Sequence, residues 1–471
     1  VNISRIEIEG LRGFADTGAL ELAMPNGKSG SGLTMIVGPN NAGKSTIVEG
    51  FTAISRTAPP SFTEGKRNKL ASDRVSIRVY NSEGENNELR TLTGGGSETS
   101  FANASMKMPS IFVLPSRRTF NPYFGKATAT RGEYLTNFPY QERRSPANDY
   151  FHTRLFNIQK DERNRKTFDD VLRRVLDPTP EWNIDQSDSG QYYVKLRYRD
   201  SYHSSEGLGE GLISVLFIVD ALYDSTENDV IVIDEPELSL HPSLQKKLVA
   251  LLAEYAATRQ VVYATHSPYF VSWDALLNGG KVVRVTKQDD SIRLFSPSST
   301  TMDGIRGLLR DQNNPHILGL DAREVFFLED GIILVEGQED VVFYRRIAEQ
   351  LNRVIGGSFY GWGVGGADKM PIIARLLSEL GFERVVGILD KNKEDRKENL
   401  QRGYPSFHFF VIPADDVRTK PLRKETSPID GLLDEDGRIR DDFRQAITEI
   451  FDSIDAALVE IEGHQRPRTP A

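Results

Sequence analysis

No cysteine occurs among the 471 residues. That rules out disulfides, thiolate metal sites and cysteine nucleophiles, and it is compatible with a reducing compartment. Long apolar runs are missing too: none approaches the ~20 residues of a membrane span, and the first residues lack the basic-then-apolar pattern of a signal peptide. The expected location is the cytoplasm, with no membrane partner. Positive charge is not in excess either, because 58 Lys and Arg against 67 Asp and Glu leave a net −9. This argues against a nucleic-acid binder working through a global positive field, while a local basic groove stays open. What remains is a globular composition, 38% hydrophobic and 27% charged. The chain is too long for one core, so two or three domains are expected.

The chain is organised around residues 33–46, Leu-Thr-Met-Ile-Val-Gly-Pro-Asn-Asn-Ala-Gly-Lys-Ser-Thr. An apolar strand there runs into a loop fitting G-x-x-x-x-G-K-[ST] through Gly38, Gly43, Lys44 and Ser45. The glycines let backbone N–H groups curl around phosphate oxygens, and the helix starting near Lys44 aims its positive end at the same anion. Lys44 reaches the β- and γ-phosphates in such a loop and Ser45 ligates Mg²⁺; Asn40, Asn41 and Thr46 complete the candidate ATP contacts.

Residues 2–8 alternate as a half-buried strand, and 58–108, rich in Ser, Gly, Asn and Thr, reads as loop or edge hairpin. A buried strand is expected at 111–114, ending in Pro115-Ser116-Arg117-Arg118, then a helix near 160–176 and a strand at 192–198. Val230–Ile233 is a buried strand delivering Asp234 and Glu235 at its carboxyl end, where ligand chemistry belongs in a parallel sheet. Asp234 suits Mg²⁺ held through water, and Glu235 suits orienting and deprotonating the water that attacks the γ-phosphate. His266, at the end of the strand 260–264, is placed to sense that phosphate.

Residues 1 to about 300 resemble an ABC-type ATPase head of the SMC-like branch. The resemblance rests on the phosphate loop, Asp234-Glu235, a D-loop at Ser239–Pro242 and a switch histidine at His266. It implies a composite site in which two heads sandwich ATP, each offering a signature loop to the other's γ-phosphate. That signature begins either at Ser205-Glu206-Gly207 or at Gly209-Glu210-Gly211. Ser205 and Gly207 are preferred, because a glutamate facing a γ-phosphate is repelled. Arg12 stands where related heads put an arginine near the nucleotide.

The second half has its own α/β rhythm: strands at 332–335, 358–364, 384–389 and 407–412, alternating with helices at 339–352, 371–380 and 393–401. Residues 297–325 read as a connector with a short helix, and 440–460 as a helical tail. Glu336 and Asp390 are expected at the ends of neighbouring strands, with Asp340 and Asn392 close by; such hard oxygens suit Mg²⁺ or Mn²⁺. Residues 332 to about 420 resemble a TOPRIM domain, whose Glu maps on Glu336 and whose Asp-x-Asp maps on Asp390-x-Asn392. The Asn is a departure and a poorer ligand, so either one of two metal positions is weakened or Asp340 or Glu394 compensates. Asp416 and Lys420 lie where related nucleases keep a further acid and a lysine facing the leaving group.

An ABC-type head followed by a TOPRIM domain is the arrangement of the OLD (overcoming lysogenisation defect) nucleases, found among phage-defence systems. The expected organisation is an α/β chain with an ATPase domain at 1–300, a connector at 301–325, a TOPRIM domain at 326–425 and a tail at 426–471. The resemblance implies an ATP- and metal-dependent DNA endonuclease working as a homodimer or higher even-numbered oligomer, with DNA and a companion defence protein or RNA as partners. The alternative is an ATPase scaffold or sensor whose TOPRIM domain binds DNA or a partner without cutting. A repair clamp built on SMC heads is a third reading, and it calls for a coiled coil that no heptad run between 58 and 200 supplies.

Overall fold

The computed structural model describes residues 2–118, 123–137, 151–198, 201–204, 209–310, 319–328, 330–420 and 429–458. The chain divides into two compact units, Val1–Ser296 and Pro297–Ala471.

The first unit is built on a six-stranded sheet of order β14-β13-β3-β12-β11-β7. Its strands are β3 (Leu33–Val37), β7 (Ile111–Leu114), β11 (Val230–Asp234), β12 (Gln260–Ala264), β13 (Lys281–Gln288) and β14 (Ser291–Phe295). All pairings are parallel except β13 with β14. Every residue of β3, β11 and β12 is buried, as expected of parallel strands covered on both faces, which read as unbroken apolar runs rather than alternations. The register aligns Ile36 with Ala264 and Ala264 with Asp234. The carboxyl ends of β3, β12 and β11 therefore open at one level, side by side.

The phosphate-loop helix α1 (Lys44–Ile54) follows β3, and no side chain caps its first turn. Helix α2 (Phe151–Lys160) and α3 (Glu162–Val175) come before α4 (Glu210–Tyr223), whose residues Ser214 to Tyr223 are all buried. Such a helix is apolar on every side because it is covered on every side. Helix α5 (Pro242–Tyr255) joins β11 to β12.

The stretch 58–108 is more ordered than a loop or a single hairpin. It supplies β4 (Ser76–Asn81), β5 (Asn86–Thr91) and β6 (Thr99–Ala104), which join β1 (Ile3–Glu9) and β2 (Gly18–Glu21) in an antiparallel sheet of order β2-β1-β4-β5-β6. A third sheet, β10-β9-β8, uses β8 (Glu181–Gln186), β9 (Tyr192–Tyr198) and β10 (Ser201–Ser204).

The second unit is a parallel sheet of order β16-β15-β17-β18, from β15 (Ile332–Leu334), β16 (Ser358–Phe359), β17 (Val385–Leu389) and β18 (His408–Val411). The expected strand at 358–364 stops after two residues. Gly361, Gly363, Gly365 and Gly366 all take positive φ, which ends an extended ladder. A Cβ on Gly363 would lie 2.8 Å from the backbone of Gly337, so this glycine run hugs the turn after β15. Residues 299–310, expected within a connector, form the twelve-residue helix α6 (Ser299–Arg310), which packs on α8 (Met370–Glu379) of the same unit. Helices α7 (Gln338–Gln350) and α9 (Glu394–Gly403) fill the crossovers, and α10 (Asp441–Leu458) packs on β17 and β18. No helix among the described residues is long and apolar enough to cross a membrane.

Candidate functional site

The strand ends of the first unit gather Lys44, Ser45, Asp234, Glu235 and His266. Gly38, at φ +138°, approaches β13 so closely that a Cβ would meet the Val285 carbonyl at 2.2 Å; only glycine fits there. The Lys44 ammonium, almost fully buried, donates to the carbonyls of Gly38 and Pro39, both at 2.8 Å, and lies 3.2 Å from His266 Nδ1. Burial pushes its pKa down to about 8, opposed by the charges of Glu237, Glu235 and Asp234. Ser45 Oγ donates to Asp234 Oδ1 at 3.3 Å. Burial, and next the charge of Glu235, push Asp234 up to about 6. Glu235 is held below its usual range, chiefly by its contact with His266, whose Nε2 lies 3.4 Å from Glu235 Oε1.

Glu235 sits at φ +49°, a left-handed conformation that costs a residue with a Cβ about 1–2 kcal/mol. Ser239 in the expected D-loop is also left-handed, and its hydroxyl donates to Glu210 at 2.9 Å. Asn40 and Asn41 are exposed on the loop and Thr46 is buried. Arg12 points its guanidinium at Glu49 of α1, which Lys66 also approaches at 3.1 Å. Ser205 and Gly207 lie outside the described residues.

Two groups were not anticipated. Glu237, in Asp234-Glu235-Pro236-Glu237, accepts the His266 backbone N–H through Oε1 at 2.5 Å. Burial raises its pKa. Arg118 is 4% exposed and reaches the backbone of Asp234 and Glu235. The signal for both was position: each stands just past a strand's carboxyl end, where a parallel sheet keeps its chemistry.

In the second unit β15 and β17 are parallel neighbours, and Glu336 and Asp390 follow their ends. The Asp390 backbone N–H donates to Glu336 Oε1 at 3.4 Å. Burial, then the charges of Glu336, Asp340 and Asp416, push Asp390 up to about 8. Asp340 accepts the Gly337 N–H at 2.8 Å at the start of α7 and is raised to about 6, mostly by burial. Asn392 donates to the Asp415 carbonyl at 2.9 Å. Asp416 is paired with Lys420, and Arg418 grips Glu339 with two bonds of 2.8 and 3.0 Å.

Among the described residues no group of three or more His, Asp or Glu side chains is arranged to hold a metal ion. The donor chemistry nevertheless fits a hydrated divalent ion, which needs one or two carboxylates and keeps its waters. Glu336 and Asp390 adjoin, the backbone N–H of one donating to the carboxylate of the other, and burial first, then the neighbouring carboxylates, raises Asp390.

A phosphate loop, an acidic strand end and a histidine gathered on one parallel sheet define an ATPase-type domain. Residues 33–272, slightly more than half of the chain, match the family described as "AAA domain, putative AbiEii toxin, Type IV TA system". The chain belongs to that family. It is 31% identical over 169 residues to the OLD nuclease of Thermus scotoductus, covering 34% of this chain and 31% of that protein. The chain thus spans under a third of that relative's length. It is 23% identical over 343 residues to the Septu protein PtuA of Bacillus thuringiensis, covering 63% of this chain and 81% of that protein. The resemblance to the OLD family is borne out at the level of this ATPase-type domain. Among solved structures, the SMC head bound to the C-terminal winged-helix domain of ScpA covers 64% of this chain and all of its own, at 13% identity and a TM-score of 0.42. The SMC head domain from Thermotoga maritima covers 63% of this chain, at 10% identity and a TM-score of 0.38.

Proposed function

We propose that this chain is an ATP-dependent, divalent-metal-dependent DNA endonuclease of anti-phage defence, with an ATPase head at 1–300 and a TOPRIM domain at 326–425. The observation that carries this reading is the adjacency of Glu336 and Asp390 at neighbouring strand ends in a chain that also holds a phosphate-loop site. Lys44 grips the β- and γ-phosphates, the first-turn N–H groups of α1 face the anion, and Glu235 orients the attacking water with His266 beside the γ-phosphate. Ser45 and Asp234 would hold Mg²⁺ there. Glu336 and Asp390 would hold Mg²⁺ or Mn²⁺, with Asp340, Asn392 and Asp416 around them; the ion supplies charge neutralisation and an activated water when bound. Lys420 faces the leaving group. The similarity to a protein named OLD nuclease supports the cutting activity, and the resemblance implies paired heads, through which ATP sets access to the cutting sites.

Plasmid incubated with the protein, Mg²⁺ or Mn²⁺ and ATP tests the proposal. Nicking that is lost in Glu336→Ala and Asp390→Ala while ATP hydrolysis survives is the expected result; intact plasmid in every combination refutes it. The second reading, a scaffold or sensor that binds DNA or a partner without cutting it, is favoured by one contact. The Asn392 amide is spent on the Asp415 carbonyl. Calorimetric titration of the full chain with Mn²⁺ separates the two, since no binding sensitive to Asp390→Ala favours the scaffold.

A further inference from the structure

We propose that Arg118 is a positioning residue for ATP hydrolysis, holding the backbone turn that aims Glu235 and tying that turn to helix α4. The guanidinium lies just past β7 and is spread over three elements. Nη1 donates to the carbonyls of Pro115 at 2.6 Å and Asp234 at 2.8 Å, Nη2 to the carbonyl of Glu235 at 2.8 Å, and Nε to Ser214 Oγ on α4 at 2.8 Å.

The turn requires such a hold. Glu235 is left-handed at φ +49°, so its side-chain direction depends on two peptide planes kept in an unfavourable rotation. The plane before it is fixed at both ends: its N–H donates to the Ala264 carbonyl at 2.8 Å and its carbonyl accepts from Arg118. The plane after it leads into Pro236 and has no N–H. Its one polar handle is the Glu235 carbonyl, shared between the Leu238 N–H at 3.1 Å and Arg118. A planar fork with five donors spans these acceptors, and a lysine ammonium, a single point, does not. The same charge also favours the ionised forms of Asp234 and Glu235.

Ser214 extends the hold to α4, which begins at Glu210, the acceptor of the Ser239 hydroxyl. A displacement of α4 therefore reaches the Glu235 turn through one side chain. The inference rests on the reading that Glu235 orients the attacking water.

The test is steady-state ATP hydrolysis by the full chain, with equilibrium binding of a fluorescent ATP analogue, in Arg118→Lys, Ser214→Ala and Glu235→Gln. Arg118→Lys is expected to lower kcat about 10- to 100-fold, with KM and analogue affinity within about twofold, the pattern of lost orientation rather than lost binding. Ser214→Ala, which removes one hydrogen bond, is expected to lower kcat about three- to tenfold, with affinity again unchanged. A folded Arg118→Lys variant with wild-type kcat overturns the inference, as does a rise in KM at constant kcat. Should Arg118→Lys fail to fold, wild-type kcat in Ser214→Ala overturns it instead. Wild-type hydrolysis by Glu235→Gln removes the reading beneath the inference; an inactive Glu235→Gln beside an unimpaired Arg118→Lys removes the inference alone.

Discussion

Replacing Asp390 by Asn should make the metal-free protein more stable at alkaline pH, the opposite of what removing a structural acid does. Burial and the charges of Glu336, Asp340 and Asp416 raise the Asp390 carboxyl from 3.8 to about 8. The folded chain therefore holds this proton more tightly than the unfolded chain, and stability falls as pH rises between those two values. The penalty is absent below about pH 4 and complete above about pH 8. The displacement sets a ceiling of about 5–6 kcal/mol; because the neighbouring carboxylates titrate together with Asp390, about 2–4 kcal/mol is the expected share. Asp390→Asn removes the charge at nearly constant shape. In chelator it should match wild type near pH 4 and unfold about 5–15 °C higher near pH 9, at the 2–4 °C per kcal/mol typical of a unit this size. Scanning calorimetry across that pH range is the assay, and saturating Mg²⁺ should raise wild type but not the variant. A variant less stable than wild type near pH 9, or a difference flat with pH, would refute the reasoning, because the carboxylates would then be satisfied as they stand.

Lys44→Ala should abolish binding of a fluorescent ATP analogue while leaving metal-dependent stabilisation of the second unit intact, as read by calorimetry with and without Mg²⁺. Glu237→Ala strands the His266 backbone N–H; we expect about 1–3 kcal/mol of lost stability in chemical denaturation and a kcat for ATP about tenfold lower. Arg154 is fully buried against Asp220 at 3.1 Å and Asp224 at 2.6 Å. Arg154→Met alone should cost about 3–5 kcal/mol, and most of that should return when Asp220→Leu is added, because an unpaired buried charge is worse than none.

The parts legible from the sequence were those whose signal is local. The phosphate loop announces itself through glycine spacing, and β3, β11 and β12 through apolar runs that only a strand covered on both faces would carry. The antiparallel sheet was missed because β5 and β6 carry few apolar residues. Asn87 is buried on β5 and fills its needs with the Met106 backbone, donating at 2.8 Å and accepting at 3.0 Å, so a polar strand looks like a loop until its partner is known. Residues 297–325 read as a connector with only a short helix for a related reason. Ser298 accepts the Thr301 N–H at 3.2 Å, and such a polar cluster is also how a helix starts. Arg118 and Glu237 could not be assigned, because both act on backbone atoms brought close only by the sheet.

The two candidate sites differ in the sign of charge that completes them. In the first, Lys44 turns its ammonium on the carbonyls of its own loop, and Arg118 reaches the backbone of the two acids, so cations are in place and what the loop complements is an anion. In the second, burial and then the charges of Glu336, Asp340 and Asp416 raise the pKa of Asp390, and Lys420 is already paired with Asp416, so what the strand ends complement is a cation. A fold requires neither arrangement: buried acids at strand ends are more stable as amides, and a buried lysine is more stable as a methionine. Keeping both in one chain is the physical ground on which we propose a nucleotide-regulated enzyme acting on phosphodiesters.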